Sequence, residues 1–416
     1  MMPPLLKGRT FRMFWLGQSI SLMGDQIALF AVPITAVLVL HADARQMGLL
    51  TAAGLLPSLL FSLHAGSLVD RWGRRRTVML VSDIARAAAM ASIPVAYALG
   101  VLHLPQLYAV AFIVGIFDVF FSVSDATMFV CVVDEQHYVE GQALLNGSRA
   151  VTSVTGQGTA GVLVALITAP GALIIDAMSF LASAITLWRI RPDEPPPAPV
   201  ERGHLAAGIQ FIRRSPVVRA ALGATATVNL FTFAFSAIFI LYATKTLGIS
   251  PAVLGLTLGA GGLGAILGSL VTTRITRRIG TGRTFAFGCV LFPAPLAFVP
   301  LATGPHWVLI SCLFLAEFGS GLGVMMLDIG VGALFAAEIP HELRSRVSGA
   351  YRTVNYGIRP LGALLGGALG ASIGLRPTLW ISVVGASACA LWLLGSPILT
   401  RPAQANAAHR EPVGAD

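Results

Sequence analysis

Gly66-Ser-Leu-Val-Asp70-Arg71-Trp72-Gly73-Arg74-Arg75-Arg76 is a short basic hinge between two long apolar runs, at about 46 to 69 and 77 to 99. Gly73 permits a tight turn, because a residue without Cβ enters left-handed backbone at little cost. Small Gly66 permits a neighbouring helix to come close, and Asp70 can accept hydrogen bonds from an arginine or a helix N-terminus. Each flanking run is about the twenty apolar residues that a helix needs to cross a bilayer. The stretch therefore reads as the turn between two membrane-crossing helices.

The same alternation continues outward through all 416 residues, of which 55% are hydrophobic and 11% charged, against roughly a quarter charged in a soluble domain. No soluble core hides that much apolar surface. Candidate spans fall at about 13 to 38, 46 to 69, 77 to 99, 105 to 130, 147 to 168, 170 to 190, 218 to 243, 251 to 273, 284 to 302, 306 to 334, 353 to 373 and 376 to 397. The expected class is an all-α polytopic membrane protein with twelve transmembrane helices in two six-helix halves. The division near Pro170 is the softest, because one long or re-entrant segment fits the same residues. The basic start at Lys7, Arg9 and Arg12 resembles a signal peptide, but the apolar run behind it extends to about Leu40 and many more follow. It reads as a retained first helix.

The net charge of +9 does not point to nucleic acid, because Lys and Arg cluster between apolar runs rather than on a polar face. One set of connections holds Lys7, Arg9, Arg12, Arg71, Arg74, Arg75, Arg76, Arg191, Arg202, Arg213, Arg214, Arg274, Arg277, Arg278, Arg283, Arg344, Arg346, Arg401 and Arg410. The other holds Arg45, Lys245 and Arg376. By the positive-inside rule the first set is cytoplasmic, and both termini with it, in a cell (inner) membrane. The four cysteines lie inside apolar runs without metal-ligand spacing and are expected to pack as small hydrophobes.

Residues 1–190 form the expected first half and 218–397 the second. Residues 191–217 are a cytoplasmic linker, with 398–416 a disordered tail. The linker opens with a proline-rich spacer and continues into Leu205, Ile209 and Ile212 at helical spacing beside Arg213 and Arg214. That pattern fits either an amphipathic helix on the inner leaflet or a solvated linker helix. Across it the sequence repeats: Gly66-Ser-Leu-Val69 recurs as Gly268-Ser-Leu-Val271 at the inner end of the second span of each half, as in a duplicated transporter. In the second copy Thr272 replaces the carboxylate of Asp70.

The stretch from Gly66 to Arg76 resembles the loop motif between helices two and three of the major facilitator superfamily, matching at Gly66, Leu68, Asp70, Arg71, Gly73, Arg74 and Arg75. The resemblance implies that this loop latches the two halves together on the cytoplasmic side, with Asp70 and Arg74 in the gate, while Arg75 and Arg76 do no more than fix topology. The opening Phe14-Trp-Leu-Gly-Gln-Ser-Ile-Ser-Leu-Met-Gly-Asp25 and the run Ser82-Asp83-Ile-Ala-Arg86 are similar to the enterobactin exporter and macrolide efflux branch. That likeness implies export driven by a proton gradient. Two departures stand against it: the fourth span lacks the arginine many drug/proton antiporters carry there, and Gly156-Gln-Gly-Thr-Ala-Gly161 lacks the antiporter proline.

Ionisable groups at membrane depth are costly and mark function by default. Asp25 lies mid-span with Gln18 and Ser21 on its side of the helix, and either couples protons or touches cargo, or is buried by hydrogen bonds. Asp118 and Asp125, seven residues apart, share a helix face and are expected to line one aqueous path. Glu317 and Asp328, three turns apart, pair similarly in the second half. Asp25, Glu317 and Asp118 are the candidates for proton coupling or the cargo cavity. Asp125 and Asp328 are alternatively partners of Arg149 and Arg352. Asp83 and Arg86, one turn apart, read as a structural pair, and Asp176 and Arg359 as isolated. The aromatics of the fourth span (Phe112, Phe117, Phe120, Phe121, Phe129) and seventh span (Phe231, Phe233, Phe235, Phe239) favour a bulky, partly apolar cargo. The eleventh-span glycines Gly362, Gly366, Gly367 and Gly370 favour close helix packing.

The expected function is secondary active efflux of a drug, macrolide or siderophore by alternating access, probed against uptake or lipid flipping by the same fold and against a receptor without transport. The expected partners are a small-molecule substrate, protons and the lipid bilayer, with no nucleic acid, in a monomer. No enzyme activity, cofactor or metal is expected, since no metal-ligand cluster, phosphate loop or catalytic His-Glu spacing stands in the sequence.

Overall fold

The computed structural model describes residues 4–192, 194 and 205–399, almost all of them helical. Most of the proline-rich spacer and the tail beyond 399 lie outside these residues. Twelve helices occupy the twelve apolar stretches: α1 (Arg9–Ile34, continued to Val39), α2 (Ala44–Trp72), α3 (Arg75–Ala98), α4 (Leu104–Val132), α5 (Tyr138–Ile167), α6 (Ala169–Arg189), α7 (Pro216–Leu241, continued to Thr246), α8 (Pro251–Ile279), α9 (Thr281–Leu291, continued in short turns to Leu301), α10 (His306–Glu338), α11 (Arg344–Ile373) and α12 (Leu375–Ser387, continued to Leu393). A separate linker helix covers Leu205–Arg214.

Ten of these helices are long and apolar enough to cross a membrane, and α2 makes an eleventh if its two arms, bent by 62°, count as one span. The twelfth, α11, has the length at 30 residues. Its first half, from Arg344 to Arg359, is polar and holds four arginines. The soft division near Pro170 resolves into two helices, because Thr168 takes a positive φ of 74° between Ile167 and Ala169 and breaks the helical run.

Local sequence sets the helix ends. Asp43 accepts from the Gln46 amide at 2.8 Å while the Gln46 side chain accepts from the Asp43 amide at 2.9 Å, a capping box that starts α2. Gly73, with φ 59°, ends it in the left-handed conformation that its lack of Cβ makes cheap. The hinge turn predicted there is present.

Within lipid there is no hydrophobic drive between helices, so close backbone contact and hydrogen bonds hold the bundle. Gly17 and Gly24 bring α1 against Thr186, Ser183, Ser179 and Asp176 of α6. Between the halves two crossings are tight. A Cβ on Gly48 of α2 would stand 2.7 Å from the Ala363 carbonyl of α11, and Gly367 of α11 packs on Ala44 and Gly48. Likewise Gly161 of α5 meets Pro251 and Gly255 of α8, while Gly259 and Gly262 meet Val154 and Ser153. The eleventh-span glycines thus serve close packing, Gly362 and Gly366 against α7 and Gly367 against α2.

Both crossings lie in the part of the bundle away from the Gly66–Arg76 loop. There a single apolar core joins Ile34, Val37, Met47 and Leu50 of the first half to Ile238, Tyr242, Ile249 and Leu254 of the second. At the loop end each half keeps its own core: Phe11, Phe14, Met79, Phe129 and Leu187 in one, Val217, Phe285, Leu327, Leu334 and Cys389 in the other. Cys289 and Cys389 are buried in that second core, with the Cys389 thiol donating to the Cys289 carbonyl at 3.3 Å. The two halves are therefore closed at one end and parted at the other.

The repeated tetrapeptides end up in corresponding places but different surroundings. Gly268 packs on Leu322 and Met325 of α10, whereas nothing lies within 4 Å of where Gly66 would carry a Cβ. Thr272, in place of the carboxylate, is buried and donates to the Gly268 carbonyl at 2.5 Å.

Candidate functional site

The site is built around one buried cation. Arg86 of α3 is 1% exposed, and its guanidinium is stacked between the rings of Phe121 (α4) and Phe180 (α6), each 4.3 Å from its centroid. Asp83, one turn earlier on α3 and fully buried, binds it at 2.5 Å. Two more carboxylates reach it at longer range, Asp118 of α4 at 3.6 Å and Asp25 of α1 at 3.9 Å. Unlike Asp83 these two are open to water, at 57% and 38% of their side-chain surface. The sequence-predicted pair of Asp83 and Arg86 is thus the fixed centre of a cluster of acids on three helices.

A fourth acid, expected to be isolated save for possible pairing, lies next to this cluster. Asp176 of α6 is fully buried, and a Cβ on Gly24 would stand 2.6 Å from one of its carboxylate oxygens, which places it directly behind Asp25. Only the tertiary approach of α1 to α6 brings Asp176 in, although its presence in an apolar run was already a signal.

Asp25, Arg86 and Asp118 sit at one end of a cavity of about 460 Å³ enclosed by α1, α3, α4 and α5. Gln18 and Ser21 line it on the Asp25 face of α1, as their spacing predicts. Asp125 follows Asp118 along the same face of α4, and pairs with Arg149 of α5 at 3.8 Å. Phe121 and Phe129 supply apolar wall, so that some aromatics of the fourth span face the cavity while Phe120 stacks outward on Trp72, with ring centroids 6.2 Å apart. Carboxylates, amides and rings around one fixed guanidinium can bind a polar head, hold or release a proton, and accept an apolar body.

Glu317 does not join this cavity. It lies in α10 of the second half, where a Cβ on Gly261 of α8 would come within 3.5 Å of its carboxylate. Among the described residues no Lys, Arg or His lies within 4 Å of it. Asp328, with Arg352 as its alternative partner, forms no ion pair within 4 Å among the described residues. Arg359 is not isolated either: its Nε donates to the Asn229 side chain at 3.1 Å, Asn229 donates to Asn355 at 2.9 Å, and its guanidinium lies 5.1 Å from the Phe233 ring and 4.8 Å from Tyr356. Each half therefore holds one arginine among aromatic rings.

The Gly66–Arg76 loop is tied to its own half. Asp70 pairs with Arg75 at 3.7 Å. The Glu194 carboxylate accepts from the backbone amides of Arg75 at 2.6 Å and Arg76 at 3.2 Å, capping α3. Arg76 donates to the carbonyls of Leu187 at 2.8 Å and Trp188 at 2.5 Å at the end of α6. Arg75 and Arg76, expected only to fix topology, do the tying, while Arg71 and Arg74 stand exposed. Glu194 carried no signal in the sequence beyond being an acid in a proline-rich spacer.

The model of the Major Facilitator Superfamily matches residues 14–363. The chain belongs to that superfamily. Its relatives include YfiS, an uncharacterized MFS-type transporter of Bacillus subtilis (strain 168), 27% identical with 86% of each chain covered. The multidrug efflux pump Tap of Mycolicibacterium fortuitum is 24% identical, covering 85% of this chain and 88% of Tap. Tap of Mycobacterium tuberculosis (strain ATCC 25618 / H37Rv) is 27% identical over 85% of each. Among solved structures, the nucleoside transporter NupG has a TM-score of 0.74 at 11% identity, covering 94% of this chain and all of that one. A bacterial homologue of the iron transporter ferroportin, in an inward-facing state, has 0.72 at 14%, covering 94% and 99%. The superfamily is one of multi-pass membrane transporters of small molecules, not of enzymes.

Proposed function

We propose that this superfamily member is a proton-coupled exporter of bulky, partly apolar small molecules, with twelve spans and both termini in the cytoplasm. One observation carries the coupling: Asp25 and Asp118 line the cavity, partly exposed, at 3.9 and 3.6 Å from an arginine that Asp83 already holds at 2.5 Å. Asp83 is the permanent partner of Arg86. Asp25 and Asp118 share what remains of its field, so either can exchange that attraction for a proton or for a positively charged group on cargo. Two unit charges about 4 Å apart attract by about 1 kcal/mol in water and about 4 kcal/mol near a protein surface, and cavity water keeps these two toward the lower figure. An exchangeable carboxylate needs such a moderate hold. Phe121 and Phe129 suit an apolar cargo body, and the likeness to pumps named for multidrug efflux supports export.

The parted end carries the basic connections, which the positive-inside rule assigns to the cytoplasm. The structure then corresponds to an inward-open state, with Asp25, Asp118 and the cavity reachable from inside. In the opposite state the glycine crossings would open and the Gly66–Arg76 loop would meet the second half, with Asp70 and Arg74 in the gate. Glu317, half-buried and with no Lys, Arg or His within 4 Å among the described residues, is the proton-carrying candidate of the second half.

The test is transport of a panel of dyes, macrolides and siderophores by everted vesicles energised with a proton gradient. Asp25→Asn, Asp118→Asn and Glu317→Gln are compared with Asp134→Asn, an exposed loop acid. The expected result is loss of gradient-driven accumulation in Asp25→Asn and Asp118→Asn and retention in Asp134→Asn. Transport that survives an uncoupler and every substitution would rule out proton coupling.

A further inference from the structure

The linker helix packs against α11 through Gly208 and Ile212 and leaves a groove beside them. Gly208 brings its backbone onto the Arg346 carbonyl and Val347, and Ile212 is buried with Val218, Ile339, Val347 and Ala350. Beyond this contact a groove of about 310 Å³ runs between Ile209, Ile212 and Arg213 of the linker helix, Leu222 of α7, and Ala350, Thr353 and Val354 of α11. The Thr353 hydroxyl is spent inside its own helix, on the Gly349 carbonyl at 2.9 Å. Apart from Arg213 the wall is therefore hydrocarbon, and Ile209 and Val354 remain 47% and 42% exposed on its rim.

Arg213 lines the groove, and exposed arginines stand near it along each of the three helices that wall it. Arg213 and Arg214 end the linker helix, Arg219 lies one turn before Leu222, Arg346 one turn before Ala350, and Arg352 next to Thr353, all five exposed. Arg219 donates to the Arg213 carbonyl at 3.3 Å, which fixes the mouth of the groove. Among the described residues none of the five forms an ion pair within 4 Å. A hydrocarbon slot under a crown of arginines, at the end of a membrane bundle, matches a molecule with an acyl chain and a phosphate.

We propose that this groove is a binding site for an anionic phospholipid, one acyl chain lying between the linker helix and α11 and the phosphodiester among Arg213, Arg214, Arg219, Arg346 and Arg352. Phosphate takes planar, forked donation from arginine, and basic clusters at a leaflet surface select anionic over zwitterionic headgroups. The assignment rests on the reading of the bundle as membrane-spanning with this end at the inner leaflet, and is independent of what the cavity carries.

The experiment is native mass spectrometry of the full-length protein, counting retained lipid after incubation with phosphatidylglycerol or with phosphatidylcholine of the same acyl chains. The wild type is expected to retain one phosphatidylglycerol that phosphatidylcholine does not replace. Arg213→Ala and Arg346→Ala should each weaken that retention by about fivefold, and Thr353→Trp, which fills the slot and keeps all five charges, should abolish it. Arg277→Ala with Arg278→Ala, basic residues at the end of α8 and outside the groove, should leave it unchanged and keeps the test readable if a groove variant folds poorly. Equal retention of the two lipids, retention that Thr353→Trp does not alter, or an equal loss in the Arg277/Arg278 variant would overturn the proposal.

Discussion

At the scale of single residues, Asp83, Asp118 and Asp25 are chemically alike and differ by what surrounds them. Asp83 and Arg86 are both buried, at 0% and 1% of their side-chain surface. Removing one partner of such a pair strands the other charge, at a cost of about 3–5 kcal/mol. Asp83→Asn should therefore lower stability by about that amount in thermal unfolding of the detergent-solubilised protein. Asp118→Asn, whose carboxylate is mostly wet, should change it by under about 1 kcal/mol while removing gradient-driven transport. A reversed order would show that Asp118 rather than Asp83 fixes the guanidinium. The sequence placed Asp83 and Arg86 one turn apart but could not rank three acids by distance to a cation, because two of them arrive on other helices.

At the scale of elements, the glycines divide by which contact they make in this conformation. Gly255 of α8 faces Gln157 and Gly161 of α5 so closely that a Cβ would stand 2.7 Å from the Gly161 Cα. Overpacking of this kind costs about 1–3 kcal/mol. Gly66 has open space around it. Gly255→Ala should accordingly destabilise the protein in thermal unfolding, whereas Gly66→Ala should leave the unfolding temperature unchanged. If the loop closes against the second half in the other state, Gly66→Ala should nonetheless slow transport, and unaltered transport would remove Gly66 from the gate. The linker helix illustrates the limit of periodicity: its apolar face was legible in Ile209 and Ile212, but not whether lipid, water or α11 would cover it. Gly208 decides the point, since its missing side chain admits the α11 backbone.

At the scale of the whole molecule, the halves meet at one end and separate at the other, so cross-linking should report the state. In a protein freed of native cysteines, Gly158→Cys on α5 with Leu256→Cys on α8 should cross-link readily without a gradient. A Cβ on Gly158 would stand 3.3 Å from the Leu256 side chain. Gly147→Cys with Leu267→Cys, nearer the parted end of the same helices, should not. The two yields should move in opposite directions when a proton gradient and cargo drive the cycle. Both pairs cross-linking alike would mean that the bundle does not rock about a central cavity.

Much of this protein was determined by the order of its residues alone. Length and polarity of the apolar runs, the basic hinge from Gly66 to Arg76 and the repeat at Gly268 are local properties, and local hydrogen bonding with lipid as solvent leaves a helix as the only outcome for each run. Heptad spacing likewise put Asp118 and Asp125 on one face. What only the tertiary structure decided is which groups from different helices share a cavity. Asp176 lies beside Gly24 of α1, and Arg359 bonds Asn229 of α7, approaches that the spacing within either segment does not show. The polarity of α11 and the bend in α2 also set these helices apart from plain spans. The physical reason is common to all of these: helix faces are selected by neighbours on other helices, through glycine-sized contacts such as Gly24 on Asp176, and no period within one segment encodes its partner.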